Sequence, residues 1–268
     1  MWRAQRLIYL LFATLMAGPA AADRLDEIKS RGALLVGVSD AIPPFTFRRG
    51  GEVVGYDIDL VRGIAQRIGV RLELLTIGET DRIKAVQDGK IDLIASTFTR
   101  TPERERDVAF SLDIFSSPQV MIVDRGTGFT SIKQMAGRKF GVLKGRTSDK
   151  NILEVLPSAQ FVYLDDYVSA FAGLRDKKFD GFAADNLVLR TNLKKERDAD
   201  RFFFIPDFKK DRDAGLGLKR KEPALKAAVD GALLDMEKSG EALRIYDLWF
   251  GPNSEVPIER ALRIGAKP

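Results

Sequence analysis

The chain has 268 residues, 45% of them hydrophobic and 30% charged, with a formal net charge of +5. This length allows one or two globular domains with a sizeable buried core. The sequence contains no cysteine and no histidine, which excludes disulfides, thiol chemistry and an acylated lipoprotein anchor, and argues against histidine-based hydrolases and ordinary zinc sites. We therefore expect a protein that uses no metal and no cofactor.

The first 22 residues have the pattern of a secretory signal peptide. Arg3 and Arg6 precede an apolar run from residue 7 to residue 17, and Ala20-Ala21-Ala22 offers a cleavage site. The apolar run is short for a membrane span, and no second apolar segment of about 20 residues follows it. We expect export, cleavage after Ala22 and a soluble mature protein in the periplasm.

The positive charge is mild and dispersed. Loss of Arg3 and Arg6 lowers the formal charge from +5 to +3, and the remaining cations alternate with acids, as in Glu-Arg-Glu-Arg-Asp at residues 103–107. A nucleic-acid-binding protein needs a basic stripe on one face, which this pattern does not provide. We expect no nucleic-acid partner.

The first part of the mature chain alternates strand and helix patterns. Apolar runs predict strands, and apolar residues at helical spacing predict amphipathic helices. The predicted elements are a strand at 34–38, a helix at 58–68, a strand at 71–77, a helix at 82–87 and a strand at 91–95. Such alternation is typical of a mostly parallel α/β sheet.

The strand at 91–95 leads into the most informative segment of the sequence. Thr97 and Thr99 follow the strand, and Thr101 and Pro102 have the residue types of a helix N-cap and first helical position. Arg104 then lies in the first turn of the helix, where a cation is electrostatically disfavoured. The hydroxyls, the nearby backbone N–H groups and the guanidinium together indicate a pocket for a carboxylate.

A second unit repeats this layout after an extended stretch at 110–123. Its predicted elements are a strand at 139–143, a helix from Thr147 or Ser148, a strand at 161–163, a helix at 167–175 and a strand at 179–184. An extended piece at 214–218 and helices between 223 and 250 complete the chain, with Trp249 and Phe250 expected to hold the last helix against the first unit.

Two α/β units joined by two extended segments predict two lobes, each a mostly parallel sheet flanked by helices. The chain would leave the first lobe once, return once and be able to hinge between them. The predicted divisions are a signal peptide at 1–22, a discontinuous first lobe at 23–113 and 215–268, a second lobe at 119–210, and hinge strands at 114–118 and 211–214.

Ligands of open α/β sheets bind beyond the carboxyl ends of the strands. The residues that follow the predicted central strands include hydroxyls, a glycine loop and a lone acid, and they are Ser39, Asp40, Thr97, Thr99, Gly145, Arg146, Thr147 and Asp185. Together with Arg104, this set suits a zwitterion better than a phosphate or a sugar. Asp185 and Thr147 also suit helix N-caps, and that role can coexist with ligand contact.

An ordered series of motifs resembles the family 3 solute-binding proteins of polar amino acid ABC transporters. The motifs are Val36-Gly37-Val38, Pro43-Pro44-Phe45, the Gly-Tyr-Asp-Ile-Asp-Leu of residues 55–60, the threonine-arginine segment of 97–104, Phe110-Ser111, the Lys-Gly-Arg-Thr of 144–147 and Trp249-Phe250. The resemblance covers nearly the whole mature chain. It implies a two-lobed periplasmic-binding-protein fold of type II and a monomeric receptor that closes on one amino acid and presents it to an inner-membrane permease.

The resemblance also implies roles for individual residues. Arg104 would clamp the ligand α-carboxylate, Thr99 would donate a hydroxyl, and Thr97 would donate a backbone N–H. Thr147 would reach the same carboxylate from the second lobe, and Asp185 would receive the α-ammonium.

The pocket for the ligand side chain departs from the family pattern. Ile42 and Glu79 stand where aromatic residues are common, Ser39 replaces a frequent acid with Asp40 following it, and Arg146 replaces a small residue. Glu79 and Asp40 would favour a cationic or amide side chain, whereas Arg146 and Arg82 would favour an acidic one. The sequence leaves the identity of the amino acid open.

Two alternatives to transport remain at this point. The same fold carries periplasmic dehydratases, and Glu79 or Asp40 in a cleft would be the general acid of an enzyme acting on a prephenate-like or arogenate-like substrate. The other alternative is a sensor partner that binds the ligand without transport. We expect a binding protein and not an enzyme, because no second acid–base group accompanies either acid.

Overall fold

Strands and helices alternate along most of the chain in the computed structural model, which describes residues 23–210 and 212–266. The predicted signal peptide at 1–22 lies outside the described residues. The strands are β1 (Ala33–Val38), β2 (Ala41–Ile42), β3 (Thr46–Arg49), β4 (Glu52–Val54), β5 (Arg71–Thr76), β6 (Leu93–Ala95), β7 (Ala109–Ser116), β8 (Gln119–Asp124), β9 (Lys139–Leu143), β10 (Gln160–Leu164), β11 (Gly181–Asp185), β12 (Phe202–Lys210) and β13 (Asp213–Leu218). The helices are α1 (Arg24–Arg31), α2 (Tyr56–Ile68), α3 (Arg82–Gln87), α4 (Pro102–Asp107), α5 (Ser148–Val155), α6 (Tyr167–Arg175), α7 (Asn186–Leu193), α8 (Pro223–Lys238) and α9 (Glu241–Phe250).

The strands form two five-stranded sheets with one antiparallel strand in each. The first sheet has the order β5-β1-β6-β13-β7, and only β13 runs against its neighbours. The second has the order β10-β9-β11-β8-β12, with β8 antiparallel to both strands beside it. The short strands β2, β3 and β4 form a separate sheet. The predicted α/β class with mostly parallel sheets is confirmed.

The chain passes between the two sheets at two adjacent points. It leaves the first sheet after β7 and enters the second at β8, and it returns between β12 and β13. The two crossings lie side by side, since the backbone N–H of Ser117 donates to the carbonyl of Arg212 at 3.1 Å. These positions fall inside the predicted segments 114–118 and 211–214, whose action as hinges stays a prediction.

Each sheet is covered on both of its faces. Successive residues of a strand point to opposite faces, so a single strand contributes to two apolar clusters. In β6, Leu93 and Ala95 belong to the apolar cluster formed with α2 and α8, whereas Ile94 belongs to a second cluster with α3. In β11, Phe182 packs into one cluster and Ala183 into another. Both faces of each sheet are therefore buried, which leaves the strand ends as the place for ligand chemistry.

Aromatic side chains pack where the last helix meets the first sheet. Phe115 of β7 lies 4.8 Å from Phe45 and 4.9 Å from Phe250, measured between ring centroids. Trp249 donates its indole N–H to Asp59 of α2 at 2.8 Å. As expected, the Trp249-Phe250 pair holds α9 against the first sheet.

Two helical glycines provide a matched test of how tightly the helices pack against their surroundings. A Cβ atom on Gly173 of α6 would lie 2.4 Å from the ring of the buried Phe179, whereas a Cβ on Gly231 of α8 meets nothing within 4 Å. We expect Gly173→Ala to lower the free energy of unfolding by about 1–3 kcal/mol through overpacking. We expect Gly231→Ala to raise it by about 0.5–1 kcal/mol, since alanine is the better helix former. Urea denaturation measures both, and changes of the same sign would contradict this packing.

Candidate functional site

A cavity lies between the two sheets, at the carboxyl ends of their central strands. Residues after β6 and β7 border it from the first sheet, and residues after β9 and at the end of β11 border it from the second. The polar residues that line it are Thr97, Thr99, Ser117, Gln119, Arg146, Thr147, Ser148, Asp185 and Arg212. The apolar residues that line it are Phe45, Phe115, Leu143, Tyr167, Ala183, Ala184, Val188 and Ala214.

The turn after β6 is held by a buried acid. Thr97 has a φ of 45°, in the left-handed region that residues other than glycine seldom adopt. Its backbone N–H donates to the Asp57 carboxylate at 2.8 Å, and its hydroxyl donates to the Ser96 carbonyl at 2.7 Å. The Thr97 N–H therefore supports the turn in this structure, whereas the family resemblance assigned it to a ligand.

Asp57 is the main residue that sequence reasoning missed here. It is 1% exposed, and among the described residues its Oδ1 has no hydrogen-bond partner. Burial raises the pKa of the Asp57 carboxyl to about 7, against the opposing effects of the Thr97 N–H and Arg146. The available signal was an acid in the apolar stripe of α2, since Asp57 shares helical spacing with Val61 and Ile64.

Arg104 lies in the first turn of α4, as predicted, with Thr101 as the N-cap and Pro102 as the first helical residue. Its guanidinium donates to the Thr99 carbonyl at 2.9 Å and to the Gly145 carbonyl at 2.9 Å, and it lies 4.4 Å from the centre of the Phe98 ring. Burial and the neighbouring arginines lower its pKa. Arg104 thus links the two sheets, next to the cavity and behind Thr99.

Glu79 is enclosed by two arginines. It forms an ion pair with Arg82, a second ion pair with Arg146 at 2.7 Å, and accepts a hydrogen bond from the Ser96 hydroxyl at 3.0 Å. Burial disfavours the charge on Glu79, but Arg146 and Arg82 outweigh burial and lower its pKa. Glu79 is therefore an ionised group whose charge is already shared between two cations.

Arg146 lies in the loop after β9 of the second sheet and contacts residues that follow β5 and β6 of the first sheet. It donates to the Ser96 carbonyl at 3.2 Å and to the Thr97 hydroxyl at 3.1 Å, in addition to its pair with Glu79. Arg82 donates from the other side to the Gly145 carbonyl at 3.1 Å. These contacts join the loop after β9 to the loop after β6.

Asp185 both caps a helix and faces the cavity. Its Oδ1 accepts hydrogen bonds from the backbone N–H groups of Leu187 at 2.9 Å and Val188 at 3.2 Å, which confirms the predicted N-cap of α7. Loss of solvent raises the pKa of Asp185, while the Val188 N–H and Arg212 act in the opposite direction. The carboxylate ends β11, on the second sheet's side of the cavity.

Arg212 is the second residue that sequence reasoning missed. It lines the cavity and donates a hydrogen bond to the Thr147 hydroxyl. Thr147 stands at the N-cap position of α5, but its side chain makes no capping bond. The available signal was a charged residue inside a predicted hinge segment, between the two predicted lobes.

The structure brings together some of the predicted site residues and separates others. Thr97, Thr99, Arg146, Thr147 and Asp185 line the cavity. Other predicted residues do not line it. Arg104 and Glu79 lie beside it, Asp40 pairs with Arg48 at 2.7 Å, Ile42 is buried in β2, and Ser39 follows β1.

The described residues contain neither a cluster of metal ligands nor a helix suited to span a membrane. Within 23–210 and 212–266, no group of three or more acidic residues is placed to hold a metal ion. No helix in the same ranges combines the length and apolar character that a membrane span requires.

Comparison with known proteins gives one consistent result. A family model for bacterial extracellular solute-binding proteins, family 3, matches residues 34–252. The arginine-binding extracellular protein ArtP of Bacillus subtilis (strain 168) is 27% identical over 222 residues, which cover 81% of this chain and 86% of ArtP.

Solved structures agree with this match. The crystal structure of a mutant of ArgBP from T. maritima has a TM-score of 0.76 and 30% identity, and the match covers 84% of this chain and 98% of ArgBP. The ancestral amino acid-binding protein AncCDT-1, a precursor of cyclohexadienyl dehydratase, has a TM-score of 0.75 and 28% identity, with coverage of 85% and 99%.

The raised pKa of Asp57 makes stability depend on pH. The folded chain keeps this proton up to about pH 7, whereas an aspartate in the unfolded chain has an ordinary pKa of about 3.9. The contribution of Asp57 to stability is therefore present at low pH and declines between about pH 4 and pH 7. Asp57→Asn keeps an acceptor for the Thr97 N–H and removes the ionisation, so we expect it to gain up to about 4 kcal/mol on the wild type between pH 4 and pH 8.

Urea denaturation of the ligand-free protein at several pH values measures this gain. Asp57→Ala is the matched control, because it also removes the ionisation but leaves the Thr97 N–H without its acceptor. It should follow the same pH slope as Asp57→Asn at a lower overall stability. Parallel pH profiles for the wild type and Asp57→Asn would refute the assignment.

Proposed function

The chain belongs to the bacterial extracellular solute-binding proteins of family 3, and we propose that it binds an amino acid between its two sheets and delivers it to an ABC-type permease. The observation that carries this proposal is the composition of the cavity wall. Thr97 and Thr99 line it on one side, while Thr147 and Asp185 line it on the other. Each sheet thus offers an incomplete set of partners for a small dipolar molecule.

The α-carboxylate is assigned to Arg104, Thr99 and Thr147, because Thr97 already donates its N–H to Asp57 and its hydroxyl to the Ser96 carbonyl. Guanidinium has five N–H donors, and Arg104 uses two of them on the carbonyls of Thr99 and Gly145. The remaining donors leave capacity for a carboxylate, the anion whose geometry matches guanidinium.

The α-ammonium is assigned to Asp185. Both capping bonds of α7 end on Oδ1, so Oδ2 is the oxygen proposed to meet the ammonium. Arg212 supports the ionised form of Asp185 from across the cavity. A carboxylate that is held by a helix N-terminus and a nearby cation is ready to accept an ammonium without rearrangement.

Binding would favour the closed arrangement of two lobes, because the ligand makes its full set of contacts only when both lobes meet. We assign the first lobe to residues 23–113 and 215–268, the second to 119–210, and the connecting hinges to 114–118 and 211–214. Residues 1–22 would direct export. The mature protein would act as a periplasmic monomer with an inner-membrane permease as its partner.

The electrostatics of the cleft support a receptor over a dehydratase. A general acid must hold a proton at the working pH. Glu79 is kept ionised by Arg146 and Arg82, and Asp40 is paired with Arg48 away from the cavity. Neither acid is placed to donate a proton to a molecule between the sheets, so we propose no catalytic step.

The test is a thermal-shift screen of the mature chain against the common L-amino acids, followed by calorimetry with the tightest binder and its deaminated analogue. A ligand selective for the folded state raises the melting temperature. Asp185→Asn keeps a side-chain oxygen for the α7 cap but removes the charge. We expect it to weaken the amino acid about 10- to 100-fold and the deaminated analogue much less, because only the amino acid carries an ammonium.

Asp166→Asn is the matched control, since Asp166 also caps a helix of the second sheet, accepting from the Ser169 N–H at 2.7 Å, but does not line the cavity. It should leave affinity unchanged. Equal losses for the two ligands in Asp185→Asn would reject the ammonium role, and a folded wild type that binds no amino acid would reject the proposed function.

A further inference from the structure

Four guanidinium groups gather around the cavity. Arg146 and Arg212 line it, while Arg82 and Arg104 lie beside it, where Arg82 contacts Ser96 and Arg104 contacts Thr99. Arg82 and Arg104 both donate to the Gly145 carbonyl, at 3.1 and 2.9 Å, so two cations converge on one neutral oxygen. The two guanidinium groups therefore lie close together in a buried region, where like charges repel strongly.

The acids near these cations are already engaged. Glu79 is shared between Arg82 and Arg146, and both Asp185 and Glu154 act on Arg212. Asp57 is buried and only partly ionised near neutral pH. The described residues that line the cavity itself include two cations, Arg146 and Arg212, and one acid, Asp185, so the cavity wall carries an excess of positive charge.

In the part of the chain that the structure describes, one of the cations that line the cavity has a buried donor without a partner. The Nε of Arg146 is buried and, within the described residues, has no hydrogen-bond partner, although Arg146 lines the cavity. A buried donor of a charged group is costly to leave unpaired. The site is therefore incomplete at Arg146, and an acceptor with negative charge would complete it best.

An amino acid backbone cannot supply that negative charge, since its carboxylate and its ammonium cancel. A side chain with an amide would offer an acceptor but leave the excess charge. A side chain with a guanidinium or ammonium would increase the excess and would have to compete with Arg146 for Glu79. Asp40, which the sequence placed on the side of a cationic ligand, is paired with Arg48 outside the cavity.

We propose that the cavity selects an amino acid whose side chain carries a carboxylate, with Arg146 as the specificity-determining residue. This inference rests on the proposed function. Arg146 comes from the second lobe and contacts Ser96, Thr97 and Glu79 of the first, so the same side chain that meets the ligand also joins the lobes. Cationic amino acids are excluded by charge.

The test is isothermal titration of the mature chain at pH 7.5 with L-glutamate, L-aspartate, L-glutamine and L-arginine. We expect L-glutamate or L-aspartate to bind about 100-fold more tightly than the other two. In Arg146→Gln, the preference for the acidic ligand over L-glutamine should fall about 10-fold or more, because a charge-assisted contact is lost. Arg146→Lys, which keeps the charge without the planar fork, should retain part of the preference.

Arg138→Gln is the matched control, because Arg138 of the same lobe is half exposed and lies away from the cavity. It should leave all four affinities unchanged. Tighter binding of L-glutamine or L-arginine, or an unchanged preference in a folded Arg146→Gln, would overturn the inference while the receptor function stands. Absence of binding by any common amino acid would instead reject the proposed function.

Discussion

Positive charge held between two sheets is the constraint on which the rest of this structure depends. Guanidinium groups are costly to bury without acceptors, and the loops at the strand ends supply those acceptors as backbone carbonyls. Arg104 uses the carbonyls of Thr99 and Gly145, and Arg146 uses that of Ser96. The contacts of Arg104 with Gly145 and of Arg146 with Ser96 cross between the two halves, so the charges proposed to recognise a ligand also hold the halves together.

The fold was largely predictable because its local signals agree with its tertiary structure. The limits predicted for α3 and α6 match those observed, and the N-caps at Thr101 and Asp185 were anticipated from residue type and position. Apolar runs gave the strands, and β6 began two residues later than expected, where Asp92 instead binds Arg24 and Arg31. The ion pairs of Asp92 form with residues distant in the chain, so residue type alone does not show that β6 begins after it.

The site was less predictable, because the partner of each charged side chain depends on the tertiary structure. The sequence did not decide whether Glu79 and Asp40, or instead Arg146 and Arg82, determine the charge of the preferred ligand side chain. In the folded chain Asp40 pairs with Arg48, and Glu79 is shared between Arg82 and Arg146. Asp57 and Arg212 went unnoticed, since one looked like an ordinary helix acid and the other like an exposed charge in a linker. Both become informative only when the strand ends face each other.

The central claim is that two half-sites on separate lobes meet around one amino acid, and a distance between the lobes tests it most directly. The chain has no cysteine, so spin labels on Lys84→Cys and Asp165→Cys report one pair of sites, and both native side chains are 77% exposed. Electron–electron double resonance should show a longer or broader distance distribution without ligand, and a single shorter one when the tightest-binding amino acid is saturating. The same distribution in both states, with calorimetry confirming saturation, would contradict the account.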